Sequence, residues 1–329
     1  MEIFKNIIAN DEIKNTLGAS IISSRFSHAY IIEGADGTGK KTIATTAAAA
    51  IMCESAHSRP CGVCPSCKKV LSGLHTDVRY FEVTKIDQIR TIKQGLYDSP
   101  NESDYKIYIL EEAQKMNVKA QNALLISLEE PPKNVVFFLL TTDAGVLLET
   151  IRSRAQTLRT ELLDKDTILD YLKNKMHTGL SDERLAEIVM ASAGSLGYAI
   201  DLTDAKRAED LMASRKRAFD FLCAILRNDP ESVCELYALS SMAREDLKSL
   251  IALSLTALED IILLKRDKGA PIRFFTDIES AIALAQKYSM GKLNSCYEAL
   301  TLATSDLNLN SNTALTLMSI LVNYKKKGN

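Results

Sequence analysis

Residues 29–42 constrain the fold more than any other stretch of the chain. The apolar run Ala29-Tyr30-Ile31-Ile32 leads into Gly34-Ala35-Asp36-Gly37-Thr38-Gly39-Lys40-Lys41-Thr42. A strand that feeds a glycine-rich turn and then a helix lets bare backbone N–H groups surround a phosphate, with a lysine ammonium to balance its charge. Such a P-loop belongs at the carboxyl edge of a parallel sheet flanked by helices. One position departs from the pattern. The residue after the loop lysine ordinarily offers a hydroxyl to the magnesium that travels with a triphosphate. Here it is Lys41, and a threonine comes one residue late, at Thr42. The loop alone leaves open whether the chain hydrolyses nucleotide, only holds it, or does neither.

The rest of the first half alternates strand and helix patterns. Ile7, Ile8, Ile13, Leu17, Ile21 and Ile22 recur at near-helical intervals, so residues 1–28 read as a helical lead-in. An alanine-rich helix is expected from Thr42 to about Met52, a composition that suits close packing on a sheet. Residues 78–83 read as a strand, and Ile86, Ile89, Ile92 and Leu96 mark one face of a helix. Residues 105–110 form a buried-strand pattern closed by Glu111-Glu112. A helix from about Val118 to Leu128 stops where Pro131-Pro132 forbids its continuation. Residues 135–140 are an uninterrupted apolar strand followed by Thr141-Thr142; residues 146–154 are expected to be helical, and residues 155–159 a last short strand.

Beyond about Leu163 the strand signal stops. Residues 166–175, 181–193 and 195–204 read as three short helices. Longer amphipathic helices follow, broken at Asp229-Pro230, at Lys268-Gly269-Ala270-Pro271 and at Ser289-Met290-Gly291. The expected organisation is an α/β P-loop domain with a parallel sheet over 1–163, a small helical domain over 164–206 and an all-helical C-terminal domain over 207–329.

Charge narrows the function. The net charge is −2, and residues 1–160 carry 19 Lys/Arg against 18 Asp/Glu, so no domain has the strongly basic balance of a protein that binds nucleic acid unaided. No run approaches the roughly 18 apolar residues of a membrane span. The opening Met1-Glu2-Ile3-Phe4 is not a basic-then-apolar signal sequence, and a cytoplasmic location is expected. Seven cysteines in such a reducing compartment are not expected to pair as disulfides.

Four of them cluster instead. Cys53-x7-Cys61-x2-Cys64-x2-Cys67 offers enough thiolates for one tetrahedral zinc with no open coordination position, which makes the expected site structural; free buried cysteines are the alternative. His57 falls inside the insertion and can compete as a ligand, whereas His28, His75 and His177 read as structural or exposed. Cys223, Cys234 and Cys296 read as small core residues on helices. In P-loop ATPases the second acidic strand binds magnesium through an Asp and polarises the attacking water through the next Glu. Here the first of these positions is Glu111, whose longer side chain changes the geometry, and the second is Glu112. Thr142 follows a central strand, where a hydroxyl can meet a γ-phosphate or merely form a turn. Arg154, at the end of the helix after that strand, is placed to stabilise charge on a γ-phosphate in a neighbouring subunit rather than in its own loop.

Taken together, Tyr108-Ile109-Leu110-Glu111-Glu112-Ala113, Ala120-Gln121-Asn122-Ala123-Leu124-Leu125, Leu128-Glu129-Glu130-Pro131-Pro132, Phe138-Leu139-Leu140-Thr141-Thr142, Thr150-Ile151-Arg152-Ser153-Arg154 and the cysteine module resemble bacterial clamp-loader subunits of the AAA+ class. Within that class the chain is similar to the delta-prime family of DNA polymerase III, over most of residues 1–205. The resemblance implies three domains, the last a helical collar that holds a pentameric ring of gamma/tau, delta and delta-prime subunits. It also implies a role in placing the sliding clamp on primed DNA with ATP bound between subunits. Gly34, Gly37, Gly39, Lys40 and Thr42 match the phosphate loop, with Lys41 displacing the usual metal-ligating hydroxyl. Glu111 and Glu112 match the metal-binding and water-activating acids, and Thr142 the sensor position. Arg154 matches the arginine of the family's Ser-Arg-Cys motif, which acts in trans; its cysteine is Ala155 here. Gly194-Ser195-Leu196-Gly197-Tyr198-Ala199 matches the second-domain sensor motif, where motor subunits carry arginine in place of Gly197.

Three departures, at Lys41, Glu111 and Gly197, point the same way. The expected protein is a non-motor component of the polymerase III holoenzyme that donates Arg154 to a neighbour and itself has weak or absent ATPase activity, with structural zinc and with ATP and magnesium weakly held or absent. The rival expectations are the gamma/tau-type motor of the same loader and a zinc-containing regulatory AAA+ protein outside replication.

Overall fold

A computed structural model describes residues 4–5, 7–55, 59–82, 86–267, 272, 274–275, 278–308 and 311–327. His57, Val83 and the break at residues 268–271 lie outside the described residues. By backbone proximity the chain divides into two compact units: Met1–Leu163 with Ser195–Gly197, and Asp164–Gly194 with Tyr198–Asn329.

The first unit is a five-stranded parallel sheet in the order β2-β3-β4-β1-β5, with β1 Ala29–Glu33, β2 Val78–Glu82, β3 Lys106–Glu111, β4 Val135–Thr141 and β5 Gln156–Arg159. Every neighbouring pair runs parallel. The three central strands are buried because both faces are covered, and this is why they read as continuous apolar runs rather than alternating ones. Alternate residues still separate the faces. Tyr30, Ile32, Ile107, Ile109, Phe138 and Leu140 share one core with α1 (Asp11–Ile22) and α2 (Lys40–Ile51). Ala29, Ile31, Tyr108, Leu110, Phe137 and Leu139 share the other with α4 (Ile86–Leu96) and α5 (Val118–Glu129). A stacked ring pair pins each face, Tyr30 with Phe138 and Tyr108 with Phe137, each at 5.4 Å between centroids. Ala44 and Ala47 to Ala50 are fully buried, so the alanine run of α2 lies flush on the sheet. The short helix α3 (Pro65–Leu71) starts at the cysteine module.

Residues 146–154 do not form the helix expected of them. Ala144–Val146 is a single 3-10 turn, Leu147 and Leu148 are extended, and α6 covers only Glu149–Arg152. The reason is Gln121, whose amide accepts from Leu148 N at 2.7 Å and donates to Val146 O at 3.4 Å, so these groups bond across to α5 instead of along a helix.

The second unit is helical throughout its described residues: α7 (Lys165–Asp170), which continues into a π-helical turn over Tyr171–Lys175, α8 (Asp182–Ser192), α9 (Leu196–Thr203), whose first two residues cluster with the sheet, α10 (Ala205–Arg227), α11 (Pro230–Ala238), α12 (Arg244–Arg266), α13 (Ile278–Lys287), α14 (Met290–Asn308) and α15 (Thr313–Lys327). Its core is built from apolar stripes of α10, α12, α14 and α15, including Phe221, Ile225, Ile251, Leu258, Leu300 and Ile320. Asp260 is buried there and accepts from the backbone N–H groups of Phe274 and Phe275. Cys296 is a core residue as expected and Cys223 is half-buried, but Cys234 is exposed, because it falls on the outer face of α11. No described helix is long and apolar enough to cross a membrane.

Candidate functional site

The carboxyl ends of the strands gather the candidate residues. The loop after β1 is held beneath by β4 and β5: Gly34 N donates to Thr141 O at 3.1 Å, and Thr160 N donates to Glu33 O at 2.8 Å. Thr160 also shares a 2.6 Å hydrogen bond with Thr38, hydroxyl to hydroxyl. A Cβ on Gly34 would lie 1.8 Å from Thr160 Oγ1, so any larger residue would force Thr160 off its hydrogen bond to Thr38. Lys40 Nζ donates to Gly34 O at 2.7 Å and to Ala35 O at 2.8 Å, so the loop closes on its own lysine. Burial lowers the pKa of this ammonium and the Asp36 carboxylate, 3.5 Å away, opposes that shift. The N–H groups of Gly37, Gly39, Lys40 and Lys41, at the start of α2, have no hydrogen-bond partner among the described residues. Thr42 is exposed on the first turn of the same helix.

The metal positions are arranged differently from an ATPase. Lys41 Nζ lies 2.7 Å from Glu111 Oε1, so the residue in place of the usual hydroxyl is bonded to the carboxylate in place of the usual aspartate. Lys41 also lies over the Tyr80 ring, 5.4 Å from its centroid. Glu112 turns away with a φ of 52° and pairs with Lys115 at 2.6 Å. The usual magnesium donor set is incomplete in these residues: Lys41 brings an ammonium where the cation takes a hydroxyl, and that ammonium bonds one oxygen of Glu111. Thr142 lies just past the end of β4, half-buried, with its backbone N–H donated to Gln114 Oε1 at 3.3 Å.

The segment Ser195–Gly197 closes the outer side of the loop. Ser195 Oγ donates to Asp36 O at 2.8 Å, and Gly197 N donates to Gly37 O at 2.8 Å. The approach leaves no room for a side chain: a Cβ on Gly197 would fall 2.7 Å from Gly37 Cα.

Arg154 is not among the loop's partners. Its guanidinium pairs with Glu129 at 2.9 Å and donates to Thr150 O at 2.9 Å, with the side chain 35% exposed. Glu33, Gln114, Glu129 and Thr160 support the site without having been singled out from sequence. Glu33 accepts from Ala144 N at 2.9 Å and from Arg159 at 2.8 Å. Burial works against its charge, but these two donors outweigh it and hold its pKa below the usual carboxylate value.

The four cysteines come together as predicted. The Sγ atoms of Cys53, Cys61, Cys64 and Cys67 all lie within 4.8 Å of one another, close to the roughly 3.8 Å edge of a tetrahedron with zinc–sulfur bonds of about 2.3 Å. Backbone N–H groups point at the sulfurs: Cys61 to Cys53 at 3.4 Å, Cys64 to Cys61 at 3.3 Å and Cys67 to Cys64 at 3.4 Å. The N–H groups of Val63 and Cys64 pull the Cys61 thiol down to about 6, a state ready to bind metal, whereas burial pushes Cys67 up. The donor set therefore fits a closed zinc site.

Residues 9–164 match the family model described as DNA polymerase III, delta subunit. The match takes in a little under half of the chain. Among similar proteins of the delta-subunit region and beyond, the DNA polymerase III subunit gamma of Buchnera aphidicola subsp. Schizaphis graminum is 28% identical over 342 residues, covering 97% of this chain and 94% of the relative. The subunit delta-prime of Bacillus subtilis is 37% identical over 157 residues, 46% of this chain and 48% of the relative. The subunit tau of Escherichia coli is 31% identical over 210 residues, and this chain spans about a third of that relative's length.

Proposed function

We propose that the chain is a delta-prime-type subunit of the DNA polymerase III clamp loader, structural and regulatory rather than a motor. In this reading it assembles with gamma/tau and delta subunits in a pentameric ring, through a collar over residues 207–329, and meets the sliding clamp and primed DNA only within that complex. Arg154 reaches the ATP of the neighbouring subunit, exchanging its Glu129 partner for the developing charge on a γ-phosphate. Zinc at Cys53, Cys61, Cys64 and Cys67 is structural.

The observation that carries the non-motor reading is the contact of Gly197 on Gly37. Motor subunits of this class place an arginine at this position, and here even a methyl group has no space. The gamma/tau-type motor is the second reading, favoured by the gamma relative that aligns along 97% of this chain. A regulatory AAA+ protein outside replication has less support, since the relatives named above are all DNA polymerase III subunits. Two measurements on purified protein separate the readings. Co-elution with gamma/tau and delta subunits on size exclusion, with no ATP turnover by the chain alone, is the expected result. Turnover by the isolated chain that is abolished in Lys40→Ala identifies a motor, and absence of any complex identifies a protein outside the loader.

A further inference from the structure

Magnesium enters a P-loop site through two protein groups: a hydroxyl on the residue after the loop lysine and a carboxylate on the second acidic strand. In this chain the residues at those two positions are bonded to each other, Lys41 Nζ to Glu111 Oε1 at 2.7 Å. The ammonium is held from a second side. It lies over the Tyr80 ring, and the Tyr80 hydroxyl is itself fixed by Thr45 Oγ1 at 3.1 Å. The Lys41 side chain is 60% exposed, yet an aromatic face and a carboxylate both converge on its ammonium. A divalent cation arriving there meets a like charge and a carboxylate already engaged, and Glu112, pointed at Lys115, offers no substitute.

The phosphate half of the site is intact by contrast. Among the described residues the N–H groups of Gly37, Gly39, Lys40 and Lys41 are without partners, and the Lys40 ammonium meets Asp36 and the loop's own carbonyls. Two ammonium groups, on Lys40 and Lys41, thus flank a cluster of amide donors.

We propose that this P-loop takes the polyphosphate of a nucleoside di- or triphosphate without magnesium, the Lys41 ammonium closing the metal position and supplying the counter-charge that the cation supplies elsewhere. The nucleotide is then a fixed structural ligand, since no metal-bound oxygen organises an in-line attack. The inference rests on the clamp-loader reading for the presence of nucleotide at this loop.

The test is equilibrium binding of fluorescent ADP and ATP analogues to the full-length chain, in EDTA and again in millimolar magnesium. Equal affinity within about twofold in the two buffers is expected, with Lys41→Thr losing at least tenfold in EDTA and recovering it in magnesium. A tenfold or greater gain on adding magnesium to the wild-type chain overturns the proposal. So does the absence of binding in both buffers by folded protein. Both of these outcomes are read on the wild-type chain, so the test stands even where Lys41→Thr fails to fold. Neither touches complex formation with loader subunits, so a failure here is distinguishable from failure of the clamp-loader reading.

Discussion

At the scale of single residues, the site is decided by what stands where an ATPase keeps its catalytic groups. Lys41 bonds Glu111, Glu112 bonds Lys115, and Gly197 rests on Gly37. The last of these is the most exacting, because it involves backbone on both sides and cannot yield by rotating a side chain. Gly197→Arg is therefore expected to destabilise the chain by about 1–3 kcal/mol, the usual cost of forcing atoms into a packed contact, and to leave ATP turnover absent. Denaturant unfolding together with a turnover assay checks both parts. Unchanged stability with new ATPase activity would mean that the glycine is the one lesion in an otherwise working motor site.

At the scale of elements, the cysteine module makes the clearest claim. Among the described residues from Cys53 into α3 the buried apolar anchors are Cys53, Cys67 and Val70, while Val63 is 71% exposed and Leu71 is 51% exposed, so a zinc ion held by the four sulfurs would carry much of the segment's order. Zinc binds thiolate, so protons compete with it. The Cys61 thiol, pulled down to about 6, stays ionised at neutral pH and regains its proton only as pH falls through that value. Zinc is expected to be retained at neutral pH and released to a chelator increasingly as pH falls, because protons compete with it for the thiolates, with one equivalent found by elemental analysis. Removing it should lower the melting temperature of the chain. Absence of zinc from the purified protein, or unchanged melting in a Cys61→Ser, Cys64→Ser double variant, would reduce the cluster to four ordinary thiols.

The same elements indicate what sequence can and cannot disclose. The P-loop, the buried runs of β1, β3 and β4, the alanine-rich α2 and the four-cysteine spacing are local patterns, and all were legible because backbone periodicity or ligand spacing is written in adjacent residues. Thr160 under Gly34, Glu129 on Arg154 and Tyr80 beneath Lys41 were not, because each pairing joins residues well separated in the chain and leaves no local mark. The failed helix at residues 146–154 belongs with these: Gln121 of α5 claims its hydrogen bonds from outside the segment. Lys41 was legible as a departure from a pattern, but only its contact with Glu111 gives the departure a physical meaning.

At the scale of the whole molecule, a near-neutral chain whose Lys41 pairs with Glu111 beside the P-loop is poorly suited, on the proposed reading, to act alone. Its net charge of −2 offers little attraction to a DNA backbone. Arg154 is held in a defined position by Glu129 and the Thr150 carbonyl while remaining partly open to solvent. On the proposed reading this arginine exchanges its single Glu129 contact, made through one guanidinium nitrogen, for a phosphate on a neighbouring chain. On the proposed reading this chain contributes chemistry to a neighbour's site rather than to its own. That reading is tested most directly by steady-state ATP turnover of the reconstituted loader, with clamp and primed DNA present, comparing wild-type chain with Arg154→Ala. Turnover at the adjoining site is expected to fall by on the order of 10³-fold, the scale of an arginine finger, so that total loader ATPase drops by that site's share while the complex still assembles. Turnover equal to wild type in an intact complex would contradict the account.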